Sequence, residues 1–165
     1  MWTAAASEEL YKKYSYGVFR RCRALVRNDA EANDLTQEVF VYALEQGARF
    51  QGRSSVSTFL FGVATHLCLN HIRNRVARGA SWQNQVAWET DESAPPPDHA
   101  LSAAQIWQAV LAAADEVTAQ IAVYHFVDGL PQGEIAQLVG YSRVTVNQRL
   151  QAFRDQARKL AENLP

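Results

Sequence analysis

From Asp34 to Arg75 the chain carries two apolar stripes at helical spacing, divided by the short polar loop Gln51-Gly52-Arg53-Ser54-Ser55. Leu35, Val39, Tyr42 and Ala43 form the apolar face of the first helix, and Phe59, Leu60, Val63, Ala64, Leu67 and Ile72 that of the second. Stripes of this kind are stable only when buried on other helices, so the pattern commits this part of the chain to a helical bundle. Asp34, Gln37, Glu38 and Glu45 lie off the first stripe and present a polar, acidic surface. Arg73, Arg75 and Arg78 load the end of the second helix with positive charge. Cations there are favourable without any partner, at roughly 0.3–1 kcal/mol each.

The remaining segments repeat the theme. Ser7, with Glu8 and Glu9 behind it, predicts a helix start, and Leu10, Tyr14, Val18, Cys22 and Leu25 continue at helical spacing. Asn28-Asp29 restarts the chain with a capping residue. Residues 79–100 carry Pro95-Pro96-Pro97, four acids and no bases, a composition that predicts an acidic tether with a short extended piece. Trp82 and Trp88 fall within it, where exposed indoles are costly unless they dock on a neighbouring surface. Beyond it, Leu101–Ala114 and Val117–Val127 read as helices, the second stopped at Asp128-Gly129. From Pro131 to Val146 the sequence predicts a short helix, a turn at Gly140 and a second helix capped by Ser142, which is a helix-turn-helix. Small Ala136 permits a close crossing, and Val146 closes the second helix on the first. The fold expected is all-α: a domain over 1–78, a linker over 79–100 and a domain over 101–165.

Net charge is −1, which excludes a uniformly basic coat, yet the charge is segregated. Residues 1–78 hold 11 Lys/Arg against 7 Asp/Glu, and residues 101–165 hold 5 against 6. Contacts to phosphate are therefore expected from patches. Cys22 and Cys68 both lie in apolar helical patterns and read as free, buried thiols of a cytoplasmic protein. His66, Cys68 and His71 spread over different helix faces with no fourth ligand, so no metal and no cofactor is expected. No nucleophile–base pair, phosphate loop or carboxylate pair stands out, and the chain is not expected to be an enzyme. Neither a secretory signal nor an apolar run long enough for membrane insertion is present.

The stretch Asp34-Leu35-Thr36-Gln37-Glu38-Val39-Phe40, followed by the run from Phe50 to Leu67, resembles region 2 of the bacterial sigma factors, and within them the small extracytoplasmic function group. The helix-turn-helix in its C-terminal position resembles region 4 of the same group. The resemblance implies a transcription initiation factor that binds core RNA polymerase through Asp34, Gln37 and Glu38. It implies capture and melting of the promoter −10 element by Phe50, Arg53, Ser54, Ser55, Phe59, Phe61, Arg73 and Arg75, because unpaired bases are held by stacking and edge hydrogen bonds. It implies contact with the −35 element through Arg143, Thr145, Asn147, Gln148, Arg149 and Arg154, since arginine suits guanine and amides suit adenine. It also implies an anti-sigma partner. Two departures accompany it: Gly62, Thr65 and His66 stand where the group has basic residues and asparagine, and Asn147 stands where it has lysine, which predicts a shallower salt dependence. An alternative consistent with those departures is a sigma-like protein that binds DNA or another protein as a regulator and no longer initiates transcription.

Overall fold

The computed structural model describes residues 4–47, 50, 52, 54–78 and 102–162. The expected tether at 79–100, with Trp82 and Trp88, and Arg53 of the loop lie outside the described residues. The helices are α1 (Ala4–Val26), α2 (Asp29–Gln46), α3 (Val56–Ala77), α4 (Ala103–Ala113), α5 (Glu116–Ala122), α6 (Gln132–Val139) and α7 (Arg143–Glu162), with a π-helical turn at Val123–Val127 continuing α5. They divide into two compact units, residues 1–71 and 72–165, the division falling inside α3.

In the first unit α1, α2 and α3 surround a core of Val18, Cys22 and Leu25 from α1, Leu35, Val39, Phe40 and Ala43 from α2, and Leu60, Ala64 and Cys68 from α3. Helix α1 begins at Ala4, ahead of the expected cap at Ser7, because Ala4, Ala5 and Ala6 are strong helix formers that extend it by one turn. It ends with Arg27 in the left-handed conformation at φ 57°, a role that glycine usually fills. Of the two candidate caps for α2, Asn28 acts: its Oδ1 accepts the Glu31 amide at 2.9 Å. Phe40 rather than Tyr42 fills the inner face of α2, and Tyr42 is 41% exposed. At about 100° per residue, Tyr42 stands roughly 90° from the centre of the stripe set by Ala32, Leu35, Thr36, Val39, Phe40 and Ala43, at its edge beside Leu35.

Helices α1 and α3 are joined by a polar latch. Arg21 Nε donates to Thr65 Oγ1 at 2.8 Å, and Thr65 Oγ1 donates to the Phe61 carbonyl at 2.8 Å. The Arg21 guanidinium also lies 5.6 Å from the Phe61 ring centroid. Thr65, a departure from the group's basic residue, is thus the buried acceptor for a buried arginine. Cys22 and Cys68 are free and fully buried. Hydrogen bonding to Cys22, together with burial, pushes the Cys68 thiol up, so it stays protonated.

In the second unit Ser102 and Gln105 form a reciprocal capping box at the start of α4. Asp115 caps α5, its Oδ1 accepting the Thr118 amide at 3.0 Å. Helices α5, α6 and α7 close on Ile121, Ile135, Ala136, Val146 and Leu150. Trp107, Phe126 and Phe153 form a second, aromatic cluster with ring centroids 5.6–6.0 Å apart. The helix-turn-helix is as the sequence predicts. Gly140 takes the left-handed conformation at φ 73°, and Ser142 Oγ accepts the Thr145 amide at 3.1 Å. Among the described residues no helix is long and apolar enough to cross a membrane.

Candidate functional site

On α2 the residues Asp34, Gln37, Glu38, Val41, Tyr42 and Glu45 recur at three-to-four spacing, so they form one outward stripe. With Leu67 of α3 they line a groove of about 450 Å³ in the first unit. Its lining sets the acids Asp34, Glu38 and Glu45 beside the apolar Val41, Tyr42 and Leu67, and Val41 and Tyr42 are exposed. The three candidate polymerase-binding residues, Asp34, Gln37 and Glu38, are therefore brought together. Glu45, read from the sequence as part of this acidic surface, belongs to it; Val41 escaped the sequence reading, and Tyr42 and Leu67 were read as inward. The signal for Val41 and Tyr42 was available, because an exposed valine and tyrosine one turn beyond paired acids extend the same stripe.

The candidate −10 residues divide. Phe50 and Phe59 meet with ring centroids 5.1 Å apart, both partly exposed, at the mouth of the loop. Gly52 has φ 66°, a conformation that turns the chain there and favours glycine. Ser54 and Ser55 are exposed. Ser55 also serves the fold, its Oγ accepting the Thr58 amide at 3.1 Å in the first turn of α3. Phe61 is drawn inward beneath Arg21, against Gly17, where a Cβ would come 3.4 Å from the Phe61 ring. In the second unit Arg75 is 8% exposed, and its guanidinium donates to Gln108 Oε1. Arg73 reaches the Ala114 carbonyl at 3.4 Å. The paired aromatic rings and the serines are thus set apart from Phe61, Arg73 and Arg75, whose side chains are engaged within the fold.

The candidate −35 residues divide as well. Arg143, Asn147 and Gln148 are exposed on the first turns of α7, and Thr145 is half-buried at the capped start. Asn147 Oδ1 lies 3.4 Å from Gln132 Nε2 of α6, a contact tying the two helices of the motif. Arg149 turns away from that surface. Its Nη1 donates to Asp115 Oδ1 at 2.9 Å and to Thr118 Oγ1 at 2.8 Å, and the guanidinium lies 5.3 Å from the Tyr141 ring centroid. Burial pushes the Asp115 carboxyl up. The two hydrogen bonds from Thr118 and the Arg149 guanidinium outweigh it and hold the group below the usual carboxylate range. Arg154 lies 5.5 Å from the Phe126 ring centroid and 3.2 Å from His125 Nε2. Among the described residues no group of three or more His, Cys, Asp or Glu is placed to hold a metal ion.

The sigma-70 region 2 family matches residues 10–78. RNA polymerase sigma factor YlaC of Bacillus subtilis is 28% identical over 92% of this chain and 90% of its own length. The extracytoplasmic function sigma factor SigX of the same organism is 25% identical over 94% of this chain and 85% of its own. SigC of Mycobacterium tuberculosis, of the same group, reaches 40% identity over 34% of each chain. Among solved structures, the sigma factor RpoE of Bartonella quintana, crystallised with the anti-sigma factor NepR, superposes with a TM-score of 0.50 at 15% identity. That match covers 94% of this chain and 96% of the other, and it speaks for the fold.

Proposed function

We propose that this chain is an extracytoplasmic function sigma factor of bacterial RNA polymerase, which recruits core polymerase through the α2–α3 groove and directs it to promoters through both units. The groove carries the reading. A lining that sets acids beside exposed apolar side chains suits a basic, amphipathic helical surface, with charge steering the approach and Val41, Tyr42 and Leu67 supplying apolar contact. Asp34, Gln37 and Glu38 are the polymerase-facing residues in this proposal. The domain boundaries at 78 and 101 and the tether between them belong to it as well.

Phe50 and Phe59 offer ring faces at which an unpaired −10 base could stack, at roughly 1–3 kcal/mol per base, with Arg53, Ser54 and Ser55 supplying donors. Helix α7 is assigned to the −35 element, with Arg143, Thr145, Asn147 and Gln148 toward the bases and Arg154 toward the phosphates. Arg149 acts through Asp115 in this scheme and orients α7. An anti-sigma protein that covers the groove would hold the factor inactive.

The direct test is run-off transcription with purified chain and core polymerase on a fragmented genomic template. Discrete start sites that depend on the chain are the expected result. A folded chain that binds core polymerase and yields no start site would instead make it a sigma-like regulator.

A further inference from the structure

Helix α7 exposes an apolar side chain where a DNA-reading helix would ordinarily carry a polar one. Val144, in its first turn, is 66% exposed, second to Tyr16 among the described large hydrophobic side chains. The buried face of α7 is formed by Val146, Leu150 and Phe153. At about 100° per residue, Val144 and Gln148 point roughly 150–170° away from the centre of that face. They stand one turn apart on the outermost ridge, with Asn147 beside them, whereas Arg149 lies at the edge of the buried face and is held by Asp115 and Thr118. Helix α7 carries Arg143, Arg149 and Arg154 and no acid before Asp155, so its first three turns suit a polyanion.

We propose that Val144 is a specificity-determining residue of this chain, seating its methyl groups against the C5-methyl of a thymine in the major groove, with Gln148 pairing to an adjacent adenine. The inference rests on the reading of α7 as the DNA-binding helix and adds a residue to it. The chemistry is restrictive. The major-groove edges of the bases carry hydrogen-bonding groups throughout, and the thymine methyl is their apolar feature. An amide paired with adenine and an apolar side chain one turn away therefore fit an A·T-containing step. The start of the helix is fixed by the left-handed Gly140 and the Ser142 cap, so the direction of Val144 is set by the backbone.

The test uses the full chain and the duplexes it enriches from a randomised pool, in which each thymine is replaced in turn by deoxyuridine. One replacement is expected to weaken binding about fourfold, the equilibrium worth of one buried methyl group. Val144→Ser, at a solvent-exposed helical position that tolerates serine, is expected to lose a similar factor and to become indifferent to that same replacement. Wild-type indifference to every deoxyuridine, or a Val144→Ser chain that keeps the full deoxyuridine effect, overturns the assignment and leaves the DNA reading standing. A folded chain that enriches no sequence overturns that reading, and the assignment with it.

Discussion

Arg21 in the first unit and Arg149 in the second are both drawn inward to a threonine hydroxyl on a neighbouring helix, at 2.8 Å in each case. Their surroundings differ. Arg21 is buried, with Thr65 as its acceptor and Phe61 beneath it. Arg149 keeps 30% of its side chain exposed and has an acid, Asp115, as its second partner. A buried guanidinium is costly to leave unsatisfied, so the first latch matters chiefly to stability. A half-exposed ion pair contributes little stability, so the second matters chiefly to the direction in which α7 points. Counting basic residues on a sequence treats the two alike; their partners separate them.

The largest effect should come from the buried latch. Arg21→Ala is expected to lower the unfolding free energy by about 2–3 kcal/mol, from a charge-assisted hydrogen bond and the contact over Phe61. Denaturant titration reads it, and a loss no greater than that of Arg149→Ala would break the contrast. Next come Arg149→Ala and Asp115→Ala. Arg149→Ala should cost about 1 kcal/mol or less in stability and Asp115→Ala about 1–2 kcal/mol, because it also removes the α5 cap; both should weaken DNA binding to a similar degree, and the double variant should bind DNA no more weakly than either. If Arg149 reads a base instead, Asp115→Ala leaves affinity unchanged.

The same pair has a pH signature. The Asp115 carboxyl is depressed in the folded chain, so its stabilisation is complete above the ordinary carboxylate range and fades as pH falls through the folded value. The stability difference between wild type and Asp115→Asn should therefore shrink in acid. A difference that persists there would show that charge plays no part. The smallest change expected is a gain: Arg27→Gly should stabilise by up to about 1 kcal/mol, because glycine adopts the left-handed conformation without the side-chain clash. A loss on that substitution would mean that the Arg27 side chain contributes more than its backbone strain costs.

Much of the fold was legible because its signals are local. Gly140 and Ser142 announced the turn and the cap of the helix-turn-helix, and Asn28 announced the start of α2. What escaped depended on partners distant in sequence. Nothing near Arg75 in the chain indicates that Gln108 accepts its guanidinium, and nothing near Thr65 indicates Arg21. The end of α1 at Arg27 carries no glycine to mark it, so the left-handed residue was hidden. Tyr42 was read as inward because it sits at the stripe's edge, where spacing alone leaves either side open. The acids proposed to face polymerase were legible as a stripe on one helix, and their apolar companion Leu67 needed the second helix in place.

The most direct measurement is the affinity of the purified chain for core RNA polymerase at near-physiological salt, with Asp34→Lys/Glu38→Lys alongside. Tight one-to-one binding by the wild type, abolished in the double variant with helical content intact, is the result predicted. Unchanged binding by that variant would contradict the assignment of the α2–α3 groove.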